Sequence, residues 1–441
     1  MAGGDSLGEG DGADGGVCAQ RELDANSRIE TNGVRFIGRL NHEPSSRQGS
    51  FARGAGCALS ASALLASLGT GYPARVNFIR SVGIFVIVAL GIASGAAADQ
   101  TIVLKATRMF NGKSKTIMPD GVVIVQGNKI VDAGSNLPVP DGARVIDLGA
   151  ATLSPGFMDA HTHLTSDYSG NYNELRLKRL ELNVSEMAYN AIPWARATIE
   201  AGFTTVRDVG SRITNSHDFP DVSLRNAINR GIIAGPRMLV ATHGIGATGG
   251  HFDPTDGFRD FLFGREPDFT DGIADGPDEI RKAVRFEVKN GADVIKAAVS
   301  GGVLSLADEV DTPQFTSAEM TALVDESHRL RKKIAVHCHG DQAAREAIEA
   351  GVDSIEHGSF MKPETLTLMK QKGTFLTPTL MAAEYIMRKI DSYPPALQSK
   401  AKAATAARSE MFRNAVKTGV KISFGPMPRF FLTGRTRKNS S

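Results

Sequence analysis

The pattern of apolar and polar positions changes texture three times along the chain. Residues 1–75 show no sustained apolar period and run through Gly- and Ser-rich stretches such as MAGGDSLGEGDGADGG and NHEPSSRQGS. Such a segment buries too little apolar surface to offset the entropy of ordering, so it is expected to stay disordered. Val82 to Ile92 is an apolar run with Arg75 and Arg80 on its N-terminal side and Ala96-Ala97-Ala98 before Asp99. That is the layout of an export signal over 76–98 with a small-residue cleavage site. A short membrane anchor is the competing reading, but spanning takes about 20 apolar residues. From Ile102 the positions alternate in short runs, TIVLKATRMF, GVVIVQGNKIVDAG and ARVIDLGA, with Asn111-Gly112 and Gly127-Asn128 as turns. This predicts a small antiparallel β-sandwich unit over 99–153.

After Pro155 short apolar strands alternate with helical periods. The expected strands are Gly156–His163, Thr204–Val209, Arg237–Ala241, Asp293–Val299, Ile334–His339, Ser354–His357, Thr374–Pro378 and Lys421–Phe424. Helices are expected between them, for example Ser317–Arg331 and Asp341–Ala350. Apolar strands joined by helices make a parallel sheet buried on both faces. Eight of them over 154–425 predict an α/β fold of (β/α)8 TIM-like barrel type, with the chemistry at the C-terminal strand ends. An open doubly wound sheet is the alternative, but no GxGxxG or GxxxxGK[ST] stands at a strand–helix junction.

Composition narrows the classes without choosing among them. The 441 residues are 41% hydrophobic and 22% charged, with 50 Lys+Arg against 48 Asp+Glu. A net charge of +2 offers no basic excess for nucleic acid, and none is expected as a partner. Cys18, Cys57 and Cys338 cannot make a disulfide framework. If the signal is removed, only Cys338 remains and no stable membrane span is expected. One hypothesis is that translation starts near Val76; native peptides from residues 1–70 would refute it.

Histidines recur at predicted strand ends. His161 and His163 close the first barrel strand in GFMDAHTHL, and residues two apart on a strand share a side, so both imidazoles can reach one metal. Two hydrogen-bonded core histidines are the bland alternative. Lys296, in ADVIKAAVSGG, sits on a strand where a lysine must be paired or neutral. A neutral lysine can take up carbon dioxide as a carbamate with two anionic oxygens; a salt-bridged lysine remains open. His337 and His339 end the fifth strand, His357 the sixth, and imidazole suits zinc and related ions. Cys338, between them, should face the opposite way as a small buried hydrophobe. His217 and His328 carry no functional expectation.

HTH at strand one, Lys at strand four, His at strands five and six, and VRDVG, GPRM, GGH and VIKAAVSGG together resemble the metal-dependent amidohydrolase superfamily. The likeness covers about 102–425 and is greatest to its imidazolonepropionase-related, Xaa-Pro dipeptidase (prolidase-like) branch. It implies two divalent metal ions, usually zinc. His161 and His163 would hold one, His337 and His357 the other, with carboxylated Lys296 bridging. His243, His251 and His339 would contact substrate, a dipeptide or N-acyl amino acid. A homo-oligomer is compatible with this reading, as is a mononuclear deaminase, although Lys296 argues against the latter.

The resemblance also implies an aspartate after strand eight that ligates metal and moves the proton. The chain reads KISFG and then PMPRFFLTGRTRKNSS, with Met427 at the aspartate position, so no catalytic acid is retained. One base inserted ahead of codon 426 lets Pro426-Met427-Pro428 be read as Thr-Asp-Ala. Residues 426–441 are therefore expected to be an aberrant, frameshifted tail, and the barrel to be truncated after strand eight. The alternative to a working hydrolase is a truncated, inactive pseudoenzyme.

Overall fold

The computed structural model describes residues 34–37, 100–167, 171–211, 218–259 and 262–425. Residues 76–98, expected to be an export signal, lie outside the described residues, as do His217, Met427 and the rest of 426–441. No described helix is long and apolar enough to cross a membrane.

The N-terminal unit is one mixed sheet among the described residues. β1 (Val34–Ile37), the one described piece of the segment expected to be disordered, runs parallel to β6 (Thr152–Pro155). β2 (Thr101–Met109), β3 (Met118–Gln126) and β4 (Lys129–Ser135) form the expected antiparallel meander. β5 (Arg144–Asp147) and β6 instead pair parallel to β2, which departs from the all-antiparallel expectation. Both return along β2 after the meander, and turn residues do not encode that partner. Val103, Val122 and Ile124 bury one face, and Met109, Val123, Val125 and Leu153 the other.

Nine further strands among the described residues are all parallel. β7 (Phe157–Thr162), β8 (Phe203–Asp208) and β9 (Arg237–Val240) form one sheet. β10 (Gly244–Ile245), β11 (Val294–Ala298), β12 (Lys333–Cys338), β13 (Ser354–His357), β14 (Phe375–Thr377) and β15 (Lys421–Ile422) form the second. β10 continues the third predicted strand after a break at Thr242, which holds φ of 62°. Two backbone bonds bridge the seams: Asp293 N–H donates to Val240 at 2.7 Å, and Ala160 N–H to Phe424 at 2.8 Å. The predicted strands thus follow one another in ring order, and the β15–β7 seam is bridged by that bond; the expected truncation after strand eight falls on residues outside the described ones.

Alternation along the strands explains both the core and the site. Ile295, Ala297, Ile334, Val336, Cys338, Ile355 and Leu376 face outward into one cluster with Leu323, Ile348 and Leu366 of the surrounding helices. Their neighbours Lys296, Ala335, His337, Glu356 and Thr377 take the other side, because side chains alternate with period two. Cys338 is fully buried in that outer layer, as expected, and burial pushes its thiol up to about 12. Helix Ser317–Arg329 begins at a Thr316–Glu319 capping box and ends two residues earlier than predicted. Helix Asp341–Ala350 has the predicted bounds and stops at Gly351, φ 98°.

Candidate metal centre

The histidines converge at the carboxyl ends of the strands. Ring centroids of His161 lie 5.2 Å from His163 and 5.0 Å from His357. His337 is 4.7 Å from His357 and 4.8 Å from His339. Candidate donor atoms of His337, His339 and His357 all lie within 4.8 Å of one another. His339, expected as a substrate contact, therefore stands inside the tightest trio. Lys296 is 1% exposed, in the middle of β11 rather than at its end, and lines the same cavity of about 150 Å³.

Four of the imidazoles are held through Nδ1. His161 Nδ1 meets Glu356 Oε2 at 2.7 Å and His163 Nδ1 donates to Gly210 O at 2.7 Å. His339 Nδ1 bonds Ser359 Oγ at 2.8 Å, and His357 Nδ1 bonds Thr379 Oγ1 at 2.6 Å. The Nδ1 contacts of His161, His339 and His357 turn Nε2 of these three rings to the cavity, the arrangement in which neighbouring groups orient metal-binding histidines. His337 is arranged the other way, with Nε2 3.3 Å from Gly301 O. Burial lowers His161 to about 4 and holds His339 and His357 well below the usual imidazole range. His161, His339 and His357 are thus held neutral at pH 7, as ligation requires, so the donor set fits divalent cations.

Local structure at these positions is strained or tightly held. His357 adopts φ of 73° and Thr379 φ of 45°, left-handed conformations uncommon for residues with a Cβ. Such strain collects at functional sites. The HTH segment is pinned by Asp208 Oδ2, which accepts from Leu164 N–H at 2.6 Å and Thr162 Oγ1 at 3.0 Å. His251 stacks on His337 at 4.1 Å and bonds Ser305 Oγ at 2.8 Å. A Cβ at Gly302 would come within 2.0 Å of the His251 ring, so this close approach requires glycine. His243 lines the cavity with Nδ1 3.6 Å from Glu287 Oε1. His328, by contrast, lies at the surface, 2.8 Å from Asp353.

Several participants were not singled out in the sequence. Glu356 is fully buried below the histidines and accepts from Arg207 Nη2 at 2.6 Å and Ser354 Oγ at 2.8 Å. Burial alone would raise its carboxyl, yet Arg207 and His161 hold it well below the usual range. A charged residue inside SIEH, and another inside TTVRD, were the available signals, since a strand buried on both faces admits a charge only with a partner.

The parallel strands carry a histidine and lysine cluster at their carboxyl ends, and the amidohydrolase family model matches residues 152–426. The chain belongs to the amidohydrolase family. An ochratoxinase from Aspergillus niger is 28% identical over 293 residues, 62% of this chain and 57% of that enzyme's length. An imidazolonepropionase from Staphylococcus aureus is 34% identical over 87 residues, 19% of this chain and 21% of that one. Among solved structures, a Xaa-Pro dipeptidase with methionine bound in its active site is 36% identical. It superposes with a TM-score of 0.69, covering 74% of this chain and 79% of that one.

Proposed function

We propose that the chain is a metal-dependent hydrolase of an amide bond in a small substrate, an Xaa-Pro dipeptide or an N-acyl amino acid. The observation that carries this is the convergence of neutral, pre-oriented imidazoles around buried Lys296 at the strand ends. His161 and His163 would hold one divalent ion and His337 and His357 a second, with His339 in reach of the latter. Lys296 would join the two ions as its carbamate, formed when the neutral amine adds carbon dioxide and loses a proton.

Bound cations would supply a hydroxide near neutral pH and polarise the scissile carbonyl. The chain's own residues do the rest. Glu356 keeps the Nδ1 proton on His161, Gly210 does so for His163, and the small cavity limits water around the reacting bond. Zinc is proposed as the ion because imidazole nitrogens suit it. Export is proposed from residues 76–98, and N-terminal sequencing of secreted protein should begin at Asp99.

The test is release of free amino acid from Xaa-Pro dipeptides and N-acyl amino acids by the full chain supplied with zinc and bicarbonate. Turnover that a chelator abolishes supports the proposal. A folded, metal-loaded chain that releases nothing favours the second reading, an inactive pseudoenzyme, for which Met427 in place of the expected acid speaks.

A further inference from the structure

Helix Pro395–Thr418 buries Leu397, Ala401, Ala404, Arg408, Met411 and Ala415. That spacing is the core-facing stripe of a helix, and one of its members is an arginine. Arg408 is 5% exposed and makes no ion pair with any carboxylate among the described residues. Its Nε donates to Ser359 Oγ at 3.1 Å and its Nη1 to the Thr379 carbonyl at 3.2 Å, both neutral acceptors. Nη2 makes no hydrogen bond to a described residue. Burial lowers the group only to about 10, so it is a cation at neutral pH.

A buried charge without a counter-charge is strongly unfavourable, whereas a guanidinium is well suited to a carboxylate that arrives with a ligand. Arg408 lines the same cavity as His161, His163, Lys296, His337 and His357. It also touches Ser359 and Thr379, the two residues that orient His339 and His357. Ser359 Oγ lies 3.1 Å from Arg408 Nε and 2.8 Å from His339 Nδ1, so one hydroxyl separates the guanidinium from the histidine cluster.

We propose that Arg408 is the specificity-determining receptor for the substrate's free carboxylate, so that the cavity selects amides whose nitrogen belongs to an amino acid with an unblocked carboxyl group. This rests on the hydrolytic reading for the choice of substrate, but the carboxylate subsite itself does not. A lost charge-assisted contact corresponds to about 10- to 100-fold in affinity.

The experiment uses the full chain and the variants Arg408→Gln and Arg408→Lys. Binding of L-methionine and L-methioninamide, read by calorimetry and by thermal shift, requires no turnover. L-methionine should bind the native chain about 10-fold or more tightly than its amide. Arg408→Gln should abolish that preference and Arg408→Lys should restore part of it. In kinetics, Arg408→Gln should raise KM for an Xaa-Pro dipeptide far more than for its C-terminal amide, with kcat less affected. If discrimination in binding holds but no substrate is cleaved, the subsite stands and the hydrolytic reading falls. Equal binding of acid and amide by the native chain overturns the proposal. So does a Gln variant, shown to be folded, that keeps the preference. Should the Gln variant not fold, the native acid-to-amide ratio and the Lys variant still decide it.

Discussion

The two ends of the strand ring are built on opposite principles. At the carboxyl ends, seven histidines, Lys296 and Arg408 surround a cavity of about 150 Å³. At the amino ends, Phe157, Phe203, Leu239, Phe375, Ile422 and Phe424 help wall an opening of about 1410 Å³. The larger space has exposed apolar rims, with Met158 68% and Phe424 60% exposed. Its walls hold no histidine. The smaller space has neutral imidazoles, residues at positive φ and buried charges. Size therefore does not mark the chemical site; the energetic expense of the groups does.

The sharpest way to break this contrast is at Lys296. Lys296→Met should lower turnover on the order of 10³-fold or more, because metal chemistry contributes several kcal/mol to the barrier. Steady-state assays would measure it, with circular dichroism confirming the fold. Next in size is Glu356→Gln, which leaves Arg207 without its buried counter-charge. It should destabilise the chain by about 3–5 kcal/mol, read from denaturant midpoints.

A smaller effect is expected at Asp221, buried beneath Thr242 and accepting its N–H at 2.9 Å. Burial raises its carboxyl from 3.8 to about 6. A folded-state value above the unfolded one means that stability is fully present below about pH 4 and is lost as pH rises through 6. The advantage of the native chain over Asp221→Asn should therefore shrink by up to about 3 kcal/mol between pH 4 and pH 7. Urea melts across that range would show it; a difference independent of pH would contradict the raised value. Least affected is the amino end: Met158→Gln should change stability by no more than about 0.5 kcal/mol and leave turnover unchanged.

The same contrast separates what was legible in the sequence from what was not. Parallel strands and helices were readable because apolar runs and the 3.6-residue period alternate, as at Ile334–His339 against Ser317–Arg331. His161 and His163 were readable because two residues on a strand share a side. The parallel pairing of β5 and β6 with β2 was not, since short connections do not name a partner strand. Glu356 and Arg207 were visible only as charges in otherwise apolar strands, and Arg408 only as a charge on an apolar helical stripe. The pair became meaningful once the fold brought Arg207 and Glu356, 149 residues apart, into contact. The left-handed turn at His357 left no mark in composition at all.

The proposed divalent metal centre at the carboxyl ends of the strands can be tested without turnover. The direct measurement is metal content after equilibrium dialysis of the folded full chain against zinc, native beside Lys296→Met. The account predicts about two ions per native chain and a marked loss in the variant. A native chain that is folded and retains no divalent ion would contradict it.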